Sequence, residues 1–432
     1  MTDLAGLGGE ADSNPFSPGF GRSPRSLVGR EDLLGNLASG LLSGPEDNRY
    51  TSIVMGVRGS GKTVALNEIE DSAARSGWVV LSMDAGTTGL LDRIARTIHE
   101  TVGKYESIEL SDAYSRRSVE RSVGVRLGPI EGRWATAQHF DDAARMGVRE
   151  HLAVLTEAAQ RAGSSVLLTV DELHSIDRSE ARRLSNDLQH ITTRARLPLA
   201  FVGAGLLEMQ YTLLADKKVT FFHRCEHYAM PPLERIDAME GIRKTITEAG
   251  GIIENDALHQ AADVVGESPY RLQVVGHAAW RLAGAPDNPV DLAAAELAGA
   301  AADEIVDRNI SVPALYDLSD AERACLRAVA DTAPSATAPV VSNRTGATRS
   351  QTDRIIRRLR LSGYVTVSAS GTLSLTGLVP KRVVDSQMPS DGRGPQGLPP
   401  PPAPSSICRK WMPRAQARCI LADGHAGGCR SR

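Results

Sequence analysis

The sequence has no apolar stretch approaching the roughly 20 residues that a helix needs to cross a bilayer. Its first residues, MTDLAGLGGEADSNP, carry neither the basic nor the apolar region that opens a secretory signal. These two absences lead to the expectation of a cytoplasmic protein with no membrane partner. Net charge is also small: 49 Lys and Arg against 52 Asp and Glu leave −3. The chain as a whole is therefore not drawn to nucleic acid or anionic lipid, and any such binding has to come from a local patch. Cysteine is scarce, with five residues in 432. Cys225 and Cys325 stand singly in segments that read as folded, while Cys408, Cys419 and Cys429 crowd the tail. That layout argues against a disulfide framework.

What remains is an ordinary globular composition, 41% hydrophobic and 23% charged, in a chain long enough for two or three domains. Its most informative stretch is residues 56–63, GVRGSGKT, directly after the apolar run Thr51-Ser52-Ile53-Val54-Met55. A strand that ends in a glycine-rich turn and re-enters the fold as a helix presents a row of backbone N–H groups able to wrap a polyphosphate. Gly56, Gly59 and Gly61 allow the close approach that a Cβ would block, and Ser60 belongs to the same row. Lys62 reaches the β- and γ-phosphates, and Thr63 offers its hydroxyl to Mg²⁺. After Thr63, Val64, Ala65, Leu66, Ile69 and Ala73 recur at helical spacing until Gly77, a C-cap residue. The motif thus lies between strand and helix, as nucleotide binding requires.

A second run, Ser165-Val166-Leu167-Leu168-Thr169-Val170-Asp171-Glu172, reads as a parallel strand buried on both faces. Its two carboxylates fall at the C-terminal end, where α/β sheets bind ligands. Asp171 suits Mg²⁺, through water, and Glu172 suits orienting or deprotonating the water that attacks a γ-phosphate. Further strands are expected at 78–84 and 197–205, with helices at 90–105, 141–163 and 179–195. Residues 106–140 fit a small hairpin without a functional reading. Residues 1–24, rich in Gly, Ser and Pro, read as disordered.

The second half changes character. Residues 233–310 read as helices throughout. From about 316 onward, LSDAERACLRAVAD, VVSNRTG and TRSQTDRIIRRLRLSG read as three helices and YVTVSASGTLSL as two strands. That order resembles a winged helix, whose third helix enters the major groove of DNA. Between Asn343 and Arg382 stand Arg344, Arg349, Arg354, Arg357, Arg358, Arg360, Lys381 and Arg382 against one acid, Asp353. Ile355, Ile356, Leu359 and Leu361 should face the core, leaving Arg349, Arg354, Arg357 and Arg358 for duplex DNA. Residues 386–405 form a proline-rich, extended linker. In the tail, 406–432, Cys408, Cys419, His425 and Cys429 supply three sulfurs and an imidazole, a set that suits tetrahedral Zn²⁺. The alternative is a basic tail with idle thiols.

The string VGREDLL, about 30 residues before GVRGSGKT, resembles the box that precedes the P-loop in AAA+ ATPases of the origin-recognition initiator type and in their STAND signalling relatives. The resemblance covers residues 25–385. It implies an α/β P-loop NTPase core over 25–232, a parallel sheet flanked by helices, with an all-helical lid over 233–312 and a winged helix over 313–385. It implies ATP and Mg²⁺ as ligands, with Val28, Gly29 and Arg30 bordering the adenine. It also implies that Arg271, in the lid string GESPYRLQ, contacts phosphate, and that Arg224 acts as an arginine finger reaching a neighbouring subunit. Where the family usually has a polar residue ending the strand near the γ-phosphate, this chain has Gly203, Ala204 and Gly205, which argues for slow hydrolysis. The function implied is nucleotide-controlled binding of DNA, with hydrolysis to ADP and phosphate as the reset. One alternative is a STAND-like switch whose winged helix packs on the core and whose output is protein assembly. A further one is a loader that acts on a partner protein.

Overall fold

In the computed structural model, residues 14–19, 23–25, 27–105, 124–127, 147–388, 411–412 and 417–418 are described. The apolar runs form six strands: β1 (Thr51–Met55), β2 (Val79–Asp84), β3 (Gly124–Leu127), β4 (Val166–Asp171), β5 (Leu199–Gly205) and β6 (Glu226–Ala229). Between them lie α1 (Glu31–Ser43), α2 (Lys62–Arg75), α3 (Leu90–Tyr105), α4 (Val148–Arg161), α5 (Arg178–Gln189) and α6 (Thr220–Arg224). The strand order is β3-β2-β4-β5-β1-β6. Five strands run parallel, and β3 pairs antiparallel with β2 at one edge. That edge strand lies in the stretch expected as a hairpin, most of which falls outside the described residues.

Side chains alternate along a strand, so a parallel sheet needs cover on both faces. Ile53 and Met55, Leu81 and Met83, and Leu168 and Val170 pack on one face with α3, α4 and α5. Val54, Val80, Leu167, Ala200 and Val202 pack on the other with α1 and α2. Because β5 lies between β1 and β4, its C-terminal end sits between the glycine-rich loop and the acidic pair.

Four helices follow with a core of their own: α7 (Arg235–Glu248), α8 (Asn255–Val265), α9 (Pro269–Ala283) and α10 (Leu292–Val306). The start of α9 is set locally. Ser268 accepts a hydrogen bond from the Arg271 N–H, and Pro269 stands in the first turn, where its missing N–H costs nothing.

The C-terminal unit comprises α11 (Val312–Tyr316), α12 (Asp320–Thr332), α13 (Ala338–Thr345), α14 (Arg349–Leu361), β7 (Val365–Val367), β8 (Leu373–Leu375) and α15 (Lys381–Gln387). Reciprocal caps, Ser319 with Glu322 and Thr348 with Gln351, fix where α12 and α14 begin. Ile356 and Leu359 enter its core, as does the half-buried Ile355 at the margin.

The expected disorder of residues 1–24 does not hold for 14–19. Phe16 is 3% exposed and belongs to the core of the four-helix unit. A single aromatic in a Gly/Ser/Pro-rich stretch has no periodicity to announce it; the slot that receives it is made some 260 residues away on α9. Among the described residues, no helix is long and apolar enough to cross a membrane.

Candidate functional site

The loop between β1 and α2 closes tightly. A Cβ on Gly56 would lie 2.5 Å from Ser60 Oγ and 2.8 Å from Met230 Cβ, and Gly61 caps α2 with φ at +93°. Only glycine fits both places. The loop then delivers the free N–H groups of the first turn of α2 toward one cleft. That cleft, about 370 Å³ in volume, is lined by Arg58, Gly59, Ser60, Gly61, Lys62 and Thr63 and by Asp171 and Glu172 at the end of β4.

Lys62 is buried, and its ammonium donates to the carbonyls of Gly56 and Val57 at 3.2 and 3.0 Å. Burial pulls its pKa down to about 8, against the opposing pull of Glu172 and Asp171. Thr63 Oγ1 donates to Asp171 Oδ2 at 2.6 Å, so the hydroxyl and carboxylate assigned to Mg²⁺ converge on one point. Glu172 sits in the left-handed region, with φ at 53°. Burial and the neighbouring Asp171 push its carboxyl upward, offset in part by Lys62.

His174 was not singled out in the sequence, and it completes this corner. Its Nδ1 accepts from the Leu206 N–H at 3.4 Å, which places the ring proton on Nε2, 3.4 Å from Glu172 Oε2. Burial, with the positive charges of Lys62 and Arg58 nearby, lowers its pKa to about 4. It is thus a neutral ring linking Glu172 to the end of β5, where Gly203-Ala204-Gly205 offer no polar side chain. The only local signal was a histidine two residues after Glu172.

Val28 and Arg30 line the cleft, and Gly29 between them packs so closely on α7 that a Cβ would lie 2.6 Å from Asp237 Oδ2. Arg30 is 3% exposed, donates to the carbonyls of Gly29 and Ser60, and keeps a buried Nε without a partner. Ser60 Oγ is likewise buried and unpartnered. Orphaned polar atoms beside an open phosphate cradle fit a polar ligand that belongs there.

Arg271 is held elsewhere. Its Nε donates to the Val264 carbonyl at 2.6 Å and its Nη2 pairs with Asp303. It does not line the cleft, whereas Tyr270, Pro269, Leu272 and Gln273 on the same helix do. Its ion-pair partner is thus a carboxylate on α10. Asp303 is shared with Arg382 of the C-terminal unit, which also binds Asp307 at 2.8 Å. Arg224 ends α6 exposed and makes no ion pair among the described residues. Phe221 and Phe222 stack against Phe201 at 5.5 and 5.7 Å and anchor the short helix that presents it.

On α14, Arg349, Arg354, Arg357 and Arg358 are all exposed. Arg358 pairs with Glu322 at 3.0 Å, and Arg357 lies 5.5 Å over the ring of Tyr211, which follows β5. The C-terminal unit also meets the glycine-rich loop itself. Arg58 donates from Nε and Nη2 to Asp317 Oδ2 at 3.0 and 2.6 Å, and Val57 packs on Gly363. Cys408, Cys419, His425 and Cys429 lie outside the described residues, among which no cluster of metal-ligating side chains occurs.

Residues 26–202 match the family of AAA ATPase domains, so this stretch carries an AAA+ P-loop ATPase fold. Among solved structures, a Walker-type ATPase of Pyrococcus abyssi superposes with a TM-score of 0.59 at 13% identity, over 84% of this chain and 97% of its own. The ORC2 protein of Aeropyrum pernix, solved in ADPNP–ADP complexes, does so with a TM-score of 0.59 at 17% identity, over 85% and 96%. At such identities the likeness is one of fold. No curated protein matches the sequence.

Proposed function

We propose that this AAA+ protein binds and slowly hydrolyses Mg·ATP, and that its nucleotide state controls a C-terminal winged helix that binds duplex DNA. The observation that carries the nucleotide reading is the convergence of Lys62, Thr63, Asp171 and Glu172 on one cleft between core and lid. Thr63 and, through water, Asp171 would hold the metal, which when bound neutralises charge between the β- and γ-phosphates. Lys62 would turn from the carbonyls of Gly56 and Val57 to the phosphates. Glu172 would orient the attacking water, its carboxylate steadied by His174. Arg224, exposed and without an ion pair among the described residues, suits action on a neighbouring copy in a self-assembled form, and Arg271 would have to leave Asp303 to reach phosphate.

Control follows from where the C-terminal unit docks. It rests on Val57 and Arg58, two residues inside the phosphate loop, so a loop that tightens on phosphate moves Asp317 and Gly363 with it. The lid offers a second link, because Arg271 and Arg382 share Asp303. DNA is favoured as the output because the four arginines of α14 remain exposed even in the docked arrangement.

The test is duplex binding with Mg·ATP, Mg·ADP and no nucleotide across a salt series. Four phosphate contacts predict a slope of log K against log salt of about −3 to −4, roughly a hundredfold loss between 50 and 200 mM. Lys62→Ala removes a charged phosphate contact and should weaken ATP binding about ten- to a hundredfold, abolishing the nucleotide response. The docking of the C-terminal unit on the phosphate loop also favours a second reading, a STAND-like switch with a protein as its partner. Absence of DNA binding in every nucleotide state, with ATP binding intact, would select it.

A further inference from the structure

Between the four-helix unit and the C-terminal unit the chain does not break into a loop. Val306 and Val312 both keep right-handed helical angles, so α10 continues into α11 through a π-helical turn, Asp307–Ser311, whose following N–H, that of Val312, donates to the Asp307 carbonyl. Pro313 gives the reason. A proline inside an α-helix lacks the N–H and drives its ring into the carbonyl four residues earlier, here that of Asn309. A helix widened by one residue just before the proline accommodates both, and such π-turns gather at functional sites.

The widened turn stands at the nucleotide cleft, which Asn309 and Ile310 line beside Tyr270 of α9. Their neighbour there is the glycine-rich loop: a Cβ on Gly59 would lie 3.5 Å from Tyr270 Cβ and 3.9 Å from Ile310 Cδ1. Asn309 Nδ2 donates to the Tyr270 hydroxyl at 3.0 Å, and this is the one hydrogen bond of that side chain among the described residues. A carboxamide nitrogen carries two N–H groups, so one remains for a ligand. In the same turn Ser311 is fully buried and its hydroxyl has no partner.

The chemistry of this wall decides what the amide is for. Arg271 is held by Asp303, and the four-helix unit and the turn bring no cation to the cleft; their polar side chains there are Tyr270, Gln273 and Asn309. Gln273 is engaged through Oε1 by the Ser17 N–H. A neutral N–H donating to an anionic oxygen makes a stronger bond than one donating to a neutral acceptor. We propose that Asn309 contacts the nucleotide, donating its second amide N–H to a phosphate oxygen of the triphosphate held by the glycine-rich loop. The assignment rests on the nucleotide reading and deepens it, because the contact comes from the joint that leads to the C-terminal unit. Asp307 accepts from Arg382 of α15 at 2.8 and 2.9 Å, and beyond Pro313 the Ala314 carbonyl accepts from the Tyr364 hydroxyl at 2.7 Å. One stretch of helix thus touches both the ligand and the unit that follows.

The experiment measures binding of ATP and of inorganic tripolyphosphate, each with Mg²⁺, to the full chain by calorimetry, for the parent, Asn309→Ala and Asn309→Asp. Aspartate keeps the size and still accepts from the Tyr270 hydroxyl, but it loses the N–H and sets a negative charge against phosphate. The expected result is a loss of about tenfold for both ligands in Asn309→Ala and a larger loss for both in Asn309→Asp. Stoichiometry should stay at the parent value, since a misfolded fraction lowers the number of sites and not their affinity. Affinities within about twofold of the parent in Asn309→Ala, or recovery in Asn309→Asp, would show an amide that only braces Tyr270 and would overturn the assignment. Loss of ATP binding alone, with tripolyphosphate unchanged, would move the contact off the phosphates and overturn it as well. A parent that binds neither ligand removes the nucleotide reading, and the role of Asn309 with it.

Discussion

Glu172 shows how much one backbone angle decides. A left-handed conformation is costly for a residue with a Cβ and persists only where its surroundings determine it. Here the Glu172 N–H donates to Asp171 Oδ1 at 2.8 Å and its carbonyl accepts from the Ser175 N–H at 2.8 Å. The turn swings the carboxylate out of the strand and beside His174. Glu172→Gln keeps the shape and removes the carboxylate, so if Glu172 orients the attacking water as proposed, ATP affinity should hold while kcat falls by about a hundredfold or more; steady-state kinetics with a separate binding assay check this. His174 makes a prediction about pH. Its pKa is lowered to about 4 from the ordinary 6.5, so the folded state resists a proton that the unfolded chain accepts. Stability is complete above pH 6.5 and is lost as pH falls toward 4, by up to about 3 kcal/mol. Urea midpoints at pH 7.5 and 4.5 should therefore fall further in the parent than in His174→Gln.

At the scale of elements, the strand–loop–helix of the P-loop and the acidic end of β4 were legible because their physics is local. A glycine turn, a lysine and a hydroxyl at fixed spacing do the same thing wherever the segment sits. The starts of α9, α12 and α14 are likewise set by neighbours in the chain, Ser268-Pro269, Ser319 with Glu322, and Thr348 with Gln351. The side-chain destinations on those helices were not. Arg271 and Arg358 each answer to a carboxylate on another element, Asp303 and Glu322, which no spacing rule reveals. Within α14 this separates the arginines by task. Arg349 and Arg354 make no ion pair among the described residues, so replacing both by Ala should leave the unfolding free energy from urea titration within about 0.5 kcal/mol. The same double variant should reduce the salt slope of DNA binding by about 2.

For the whole molecule, the question is how firmly the C-terminal unit is held. The Arg58–Asp317 pair has side chains 34% and 44% exposed. Such a pair contributes about 1 kcal/mol at most, roughly a fivefold shift in a docking equilibrium. Asp317→Ala should therefore raise nucleotide-free DNA affinity only a fewfold. The contact of Val57 with Gly363 is less forgiving: a Cβ on Gly363 would lie 2.4 Å from Val57 Cγ1, at a backbone φ of +79°. Gly363→Val should undock the unit more completely, seen as faster proteolysis between α10 and α12 and a DNA affinity no longer responsive to nucleotide.

By itself the sequence determined which segments become the sheet, the four-helix unit and the C-terminal helices and ribbon, and where a glycine-rich turn joins β1 to α2. Apolar periodicity, caps and a glycine turn are short-range instructions, each carried by neighbouring residues. The tertiary structure alone decided that Phe16 enters the core of the four-helix unit, that His174 bridges Glu172 and the end of β5, that Arg271 rests on Asp303 and that the C-terminal unit bears on the glycine-rich loop. Each of these involves at least one contact between groups far apart in the chain, such as Phe16 with Gly276, His174 with Leu206, and Val57 with Gly363. Burial and charge pairing arise from where the folded chain brings such groups together, and no local pattern in the sequence carries that information.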